Sequence, residues 1–212
     1  MATELIEINP DRPPDDVIER AAAAIRRGKV VAIPTEALYT LVTDPFNLHA
    51  VSRVFLAKGR EMHRSLPLLV GDLMMAEELA KELSNRFYVL ARRFWPGPLT
   101  VIVPAAARVP LKVTGNTGRL ALRHSRAKVV EALILRLNQP LIATSANISG
   151  HPTCRSGIEV FGMMDGRVDL VLDGGACSGP GATTIDITEP AWKLIRAGVV
   201  GQKEIDDCLQ GS

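Results

Sequence analysis

The sequence predicts an α/β fold, one twisted mixed β-sheet with helices packed on it, in a single domain over residues 1–212. Three observations carry this expectation. Short apolar runs bounded by Pro, Gly or polar residues outnumber segments with helical periodicity. Several of these runs follow one another with no helix between them, so strict strand–helix alternation is not expected. There is also no internal repeat, low-complexity tract or linker at which to divide the chain.

The elements follow in order. Pro13-Pro14-Asp15-Asp16 opens a helix whose apolar positions are Val17, Ala21, Ala24 and Ile25, with Gly28 as its stop. Lys29–Ile33 is a buried strand ended by Pro34. Asn47 caps a second helix carrying Val51, Val54 and Phe55, and Gly59 ends it. Leu66–Val70 is a strand, and Asp72 caps a helix bearing Ala76, Leu79, Ala80 and Leu83. The next helix holds Phe87, Leu90, Ala91 and Phe94 and stops at Trp95-Pro96-Gly97-Pro98. Further strands are expected at 99–103, 119–122, 140–144, 168–172, 183–187 and 192–195, with helices at 126–137, 156–163 and 202–209.

Composition narrows the class. With 212 residues, 47% hydrophobic and 23% charged, the chain is neither disordered nor dependent on staples. A chain this long buries roughly 70% of its unfolded surface. No apolar run approaches the ~18 residues of a membrane span. The start carries Glu4 and Glu7 with no basic stretch, so a secretory signal is not expected and a cytoplasmic location is. Cys154, Cys177 and Cys208 lack CxxC spacing and the histidines form no HxxxH or HExxH pair, so neither disulfide framework nor protein-held metal is expected. Net charge is +2, but its distribution is uneven. Arg53, Lys58, Arg60 and Arg64 are opposed locally by Glu61 alone, and Arg119, Arg123, Arg126 and Lys128 by no acid. Two basic segments in a nearly neutral chain point to a local anion site.

Standard signatures are missing: no GxxxxGK[ST], no GxGxxG after a strand, no GxSxG, and no arranged Ser-His-Asp set. What remains is four strand-to-loop junctions. Pro34-Thr35-Glu36 follows a buried strand, where open α/β sheets place ligands, although Thr35 also suits an ordinary turn. Lys58-Gly59-Arg60, followed by Arg64, puts three cations within seven residues, enough to clamp a polyphosphate, or simply to answer a helix dipole. Thr144-Ser145-Ala146-Asn147-Ile148-Ser149-Gly150 empties an apolar strand into small polar groups, as an anion nest does. The same residues can instead satisfy their own turn. Leu194-Ile195-Arg196-Ala197-Gly198 ends a strand on a cation.

Taken together, the segments PTEALYTLVTD, KGREMHRSLPLLVGD, RFWPGPLTVIVP, LALRHS, PLIATSANISG, ATTIDIT and LIRAG resemble the YrdC family over about residues 29–198. The resemblance implies a twisted α/β fold around a concave, positively charged cavity. It also implies L-threonylcarbamoyl-AMP and pyrophosphate formed from L-threonine, bicarbonate and ATP, a nucleotidyl transfer in which Mg2+ accompanies ATP. The product would feed the threonylcarbamoyl modification of adenosine 37 in tRNA through downstream transfer proteins. By that resemblance Lys58 and Arg60 carry the chemistry, and with Arg64, Ser145, Asn147 and Arg196 they hold the nucleotide. Thr35 and Arg123 bind threonine, with Thr144 beside them. The chain departs from the family pattern with Ala37, Thr40 and Val42 in its first motif, Glu61 after the cations, Arg119, His124-Ser125, and Ala182 in place of a Ser. The other reading is a double-stranded RNA- or tRNA-binding protein without synthase activity, using both basic segments. Aromatic content of 4% offers little stacking for single strands. A hydrogenase-maturation carbamoyltransferase would need acylphosphatase-like and zinc-finger segments that the sequence lacks.

Overall fold

A computed structural model describes residues 2–210. In chain order the elements are β1 (Glu4–Glu7), α1 (Asp15–Arg26), β2 (Val31–Ile33), β3 (Thr40–Val42), α2 (Leu48–Lys58), β4 (Leu68–Val70), α3 (Leu73–Leu79) and α4 (Asn85–Phe94). They continue with β5 (Leu99–Pro104), α5 (Leu111–Thr114), β6 (Arg119–His124), α6 (Lys128–Leu137), β7 (Leu141–Ile142), β8 (Thr144–Ser145), α7 (Gly157–Met164), β9 (Leu170–Asp173), β10 (Thr183–Asp186), β11 (Lys193–Arg196) and α8 (Gln202–Gln210).

Mixed strand pairing in an α/β fold is as expected, but the strands form two sheets rather than one. Their orders are β1-β9-β2-β3-β8 and β11-β10-β5-β6-β4-β7. Each combines parallel and antiparallel pairs, for instance β2 with β9 and β2 with β3, or β4 with β6 and β5 with β6. The run at 140–144, expected as one strand, is where they meet. Leu141–Ile142 pairs with β4, whereas Thr144–Ser145 pairs with β3. Neighbouring amides bond in both directions: Ile142 N–H to Thr43 O at 3.0 Å and Ala143 N–H to Pro67 O at 2.8 Å. Because this run is shared, the sheets are joined at a seam and leave a concavity beside it.

Local signals place most elements. Asn47 Oδ1 accepts from His49 N and Ala50 N at 3.1 Å each, and Asp72 Oδ1 accepts from Met75 N at 2.7 Å. Gly59, at φ 57°, gives α2 the left-handed exit that a side chain would strain. The helix after Asp72 ends at Leu79, short of the expected Leu83, because Ala80 turns extended and bridges Ala105. β1, β3 and α5 are additions to the expected set. β1 and β3 have three or four residues each and owe their state to neighbouring strands.

Alternation divides the core. On β2, Ala32 joins the larger cluster under Tyr39 and Phe55, while Val31 and Ile33 face the cluster packed by α1 and α6. β4 does the same with Leu68 and Val70 against Leu69. Burial on both faces makes these strands rigid supports for side chains at their ends. Among the described residues, no helix is long and apolar enough to cross a membrane.

Candidate active site

The concavity between the sheets is a cavity of about 480 Å3, in the range of roughly 300–1,000 Å3 usual for small-molecule sites. Arg60, Arg64, Arg123 and Arg196 all line it, and no Asp, Glu, His or Cys does. Residues far apart in sequence therefore bring positive charge to one hollow. Thr35, Thr144 and Ser145 line it too, whereas Lys58 and Asn147 lie just outside.

Lys58 is 3% exposed and reaches beneath the Thr144–Asn147 turn. Its ammonium donates to Ser145 O at 2.5 Å, Asn147 O at 2.8 Å and Asn147 Oδ1 at 3.1 Å. Burial, reinforced by the charge of Arg60, pulls the Lys58 pKa down to about 8, so the ammonium persists at neutral pH. Asn147 is equally engaged. Its Oδ1 accepts from Ser145 Oγ at 2.6 Å, and its Nδ2 donates to Ile148 O and His151 O at 3.1 and 2.7 Å. The pair braces the turn and sets the direction of Ser145, the member of this group on the cavity wall.

Thr35 sits on the wall but its hydroxyl closes its own turn, donating to Leu38 O at 2.7 Å and accepting from the amides of Ala37 and Leu38 at 3.2 Å. The turn is anchored by Tyr39, which is fully buried and donates to Gly175 O at 2.7 Å. Burial raises the Tyr39 phenol pKa, so it remains a donor. Glu36 Oε2 accepts from Ser125 Oγ at 2.5 Å, tying this turn to the end of β6. Glu36 Oε1 is buried with no hydrogen-bond partner, and the positive charge of Arg123 is what opposes it. Arg123 is 9% exposed, has no hydrogen bond or ion pair among the described residues, and is held below the usual guanidinium pKa by its burial. A buried guanidinium that faces a cavity, with no hydrogen bond of its own and only the nearby charge of Glu36 to oppose it, has its donors available to an anion.

Arg60 donates to Thr144 Oγ1 at 3.3 Å and to Ser65 O at 3.1 Å, so its fork is aimed along the wall. Gly115 supports this loop from below. A Cβ there would stand 2.3 Å from His63 O and 2.9 Å from Ser65 N, and its φ is +61°. Gly115→Ala is expected to cost about 1–3 kcal/mol, because it would displace the loop that carries Arg60 and Arg64. Urea denaturation against wild type checks the loss.

Comparison with known proteins bears on what this hollow belongs to. Residues 23–198 match the Sua5/YciO/YrdC family model, whose description reads telomere recombination. The chain belongs to the Sua5/YciO/YrdC family. It is 38% identical over 193 residues to the threonylcarbamoyl-AMP synthase of Pyrococcus abyssi, covering 91% of this chain and 57% of that protein. It is 36% identical over 177 residues to the threonylcarbamoyl-AMP synthase of Thiobacillus denitrificans, covering 82% and 92%. The solved structure of P. abyssi Sua5 complexed with L-threonine superposes with a TM-score of 0.93 at 36% identity, over 98% of this chain and 61% of that one. The chain thus spans little more than half the length of the P. abyssi relative.

Within the Sua5/YciO/YrdC family pattern, three of this chain's departures, Ala37, Thr40 and Ala182, lie on the cavity wall. Arg119 does not. It pairs with Asp186 at 2.9 Å and Glu189 at 3.0 Å at the far end of β6. Arg53 and Lys128 are likewise neutralised, by Asp169 and Glu131 at 2.8 and 2.7 Å. The two basic segments therefore do not form one continuous phosphate-binding strip. Polar wall residues missed by sequence reasoning include Thr40 and Ser65, together with Thr100 and Thr184, which line the cavity from β5 and β10. Their signal was alternation: in Thr183-Thr184 only the second hydroxyl can face the same side as Arg196. As for Mg2+, the wall offers hydroxyls and guanidiniums but no carboxylate, and no group of three His, Cys, Asp or Glu suited to a metal occurs among the described residues. This donor set does not fit an ion held by the protein.

Proposed function

We propose that this chain is an L-threonylcarbamoyladenylate synthase, a nucleotidyltransferase that forms threonylcarbamoyl-AMP, pyrophosphate and water from L-threonine, bicarbonate and ATP. The observation that carries the reading is the convergence of Arg60, Arg64, Arg123 and Arg196 on one carboxylate-free cavity. The amine of threonine joins bicarbonate as a carbamate with loss of water, and a carbamate oxygen displaces pyrophosphate from the α-phosphorus. Every reactant except the amine is anionic, so the reaction rests on fixed positive charge and positioning, with no covalent nucleophile.

Arg60, Arg64 and Ser145 meet the triphosphate at the seam, with Arg196 across the cavity. Lys58 and Asn147 contribute through the brace that orients Ser145, and Thr144 through its bond to Arg60. Arg123 pairs with the threonine carboxylate above the turn closed by Thr35. Mg2+ arrives as part of the nucleotide substrate. The mixed anhydride product must pass to a threonylcarbamoyl-transfer reaction, here the modification of tRNA in the cytoplasm.

Purified protein should release pyrophosphate from ATP only when threonine and bicarbonate are both present, and release indifferent to threonine would defeat the assignment. ATP at about 100 times its Kd should add about 2.7 kcal/mol of stability, read from thermal melts, if the cavity is a nucleotide site.

A further inference from the structure

One register line crosses the six-stranded sheet beneath the cavity. Thr184 on β10 stands opposite Thr100 on β5 and opposite Arg196 on β11. The antiparallel β5/β6 register pairs Val101 with Leu122, which sets Thr100 against Arg123 in the next rung. All four side chains line the cavity, while the neighbouring Thr183 points away and donates to Val200 O at 2.8 Å. With neighbouring strands ~4.8 Å apart, two hydroxyls therefore lie side by side between two guanidiniums.

These hydroxyls are idle. Neither Thr100 nor Thr184 makes a side-chain hydrogen bond among the described residues, although Thr100 is 5% exposed. Of the other hydroxyls on the wall, Thr35 and Thr40 bond Leu38 O, Thr144 bonds Arg60 and Ser145 bonds Asn147, while Ser65 lies on the exposed loop beside Arg64 and outside this row. Arg123 and Arg196 are close enough for their charges to disfavour each other, and no carboxylate lines the wall between them. A row of cation, hydroxyl, hydroxyl, cation is complementary to a small anion that both accepts and donates. Phosphate oxygens of ATP only accept, and suit the guanidiniums at the seam. Bicarbonate accepts through two oxygens and donates through a third, and a hydroxyl can answer either role. An α-amino acid whose carboxylate sits on Arg123 carries its amine on the adjoining carbon, within reach of a small anion held by this pair.

We propose that Thr100 and Thr184 form the subsite for the one-carbon unit, holding bicarbonate and then the carboxylate of the carbamate between Arg123 and Arg196. The proposal rests on the synthase reading, and its test separates the two.

The variants are Thr100→Val and Thr184→Val, which keep shape and strand preference and remove only the hydroxyl, with Thr100→Ser and Thr184→Ser restoring it. At saturating ATP and threonine, each valine variant should raise the bicarbonate KM of pyrophosphate release by about 10- to 100-fold. The Kd values for threonine and ATP should stay within twofold, and the serine variants should behave as wild type. Independently of turnover, 13C-bicarbonate with threonine-loaded protein should show a broadened carbon resonance that the valine variants lose. Broadening that disappears with valine while the wild type releases no pyrophosphate sinks the synthase reading and leaves the subsite standing. An unbroadened resonance with wild type, unchanged bicarbonate KM in both valine variants, or an equal loss of threonine affinity overturns the subsite.

Discussion

Arg123→Met should weaken L-threonine binding by about 30- to 3,000-fold, since losing one partner of a buried charge pair costs about 2–5 kcal/mol at 1.4 kcal/mol per tenfold. The reason lies in how Arg123 is held. It sits on the central strand β6, is almost wholly buried, and makes no hydrogen bond or ion pair among the described residues, so its donors face the cavity with only the nearby charge of Glu36 opposing it. Arg123→Lys should rescue little, because a point charge on a flexible stem cannot grip two carboxylate oxygens as the planar fork does. Isothermal titration of threonine measures the loss, and ATP affinity should change by less than about tenfold under the proposal that sets its main contacts at the seam. Threonine affinity unchanged in Arg123→Met would remove Arg123 from the amino-acid site.

Lys58→Met is expected to be the most destabilising of these substitutions. It leaves Ser145 O, Asn147 O and Asn147 Oδ1 without their ammonium donor in a buried place. Breaking such a set by removing one partner costs about 3–5 kcal/mol. At about 2–4 °C per kcal/mol for a chain this size, Tm should fall by about 10 °C. Nucleotide affinity should fall with it, because Ser145 loses its brace. The same lysine carries a pH signature. Its pKa in the fold, about 8, lies below the ordinary 10.5, so between those values the unfolded chain binds more protons than the folded one. Wild-type stability should therefore rise with pH across that window relative to Lys58→Met, a comparison that cancels the groups common to both. Parallel stability–pH curves for the two proteins would show that the ammonium is not carried into the interior.

The legible parts of this protein were those governed by neighbours in sequence. Asn47 and Asp72 cap the helices they were expected to cap, because a side-chain oxygen two or three residues away satisfies the first free amides. The junctions after β2, α2 and β7 and at the end of β11 were visible as polar or cationic residues emptying from apolar runs. β3 was hidden inside the first of these junctions, since three residues become a strand only through partners at Val31 and Ser145. The single expected strand at 140–144 divides because its amides are shared by two sheets, and no periodicity reports that.

Arg119 and Arg123 draw the line most clearly. Both lie on one face of β6 by alternation, and in the sequence they are equal members of an acid-free basic segment. Asp186 and Glu189, about seventy residues away, neutralise the first and leave the second to the cavity. Lys58 and Asn147, equal members of the small polar and cationic inventory in the sequence, bond each other in the fold. The sequence by itself determined the inventory: the α/β class, the caps, the basic segments and the small polar turn, all set by interactions spanning a few residues. Only the tertiary structure decided which charges remain free, because that depends on register between strands distant in the chain, where a shift of one residue would turn each side chain to the opposite face.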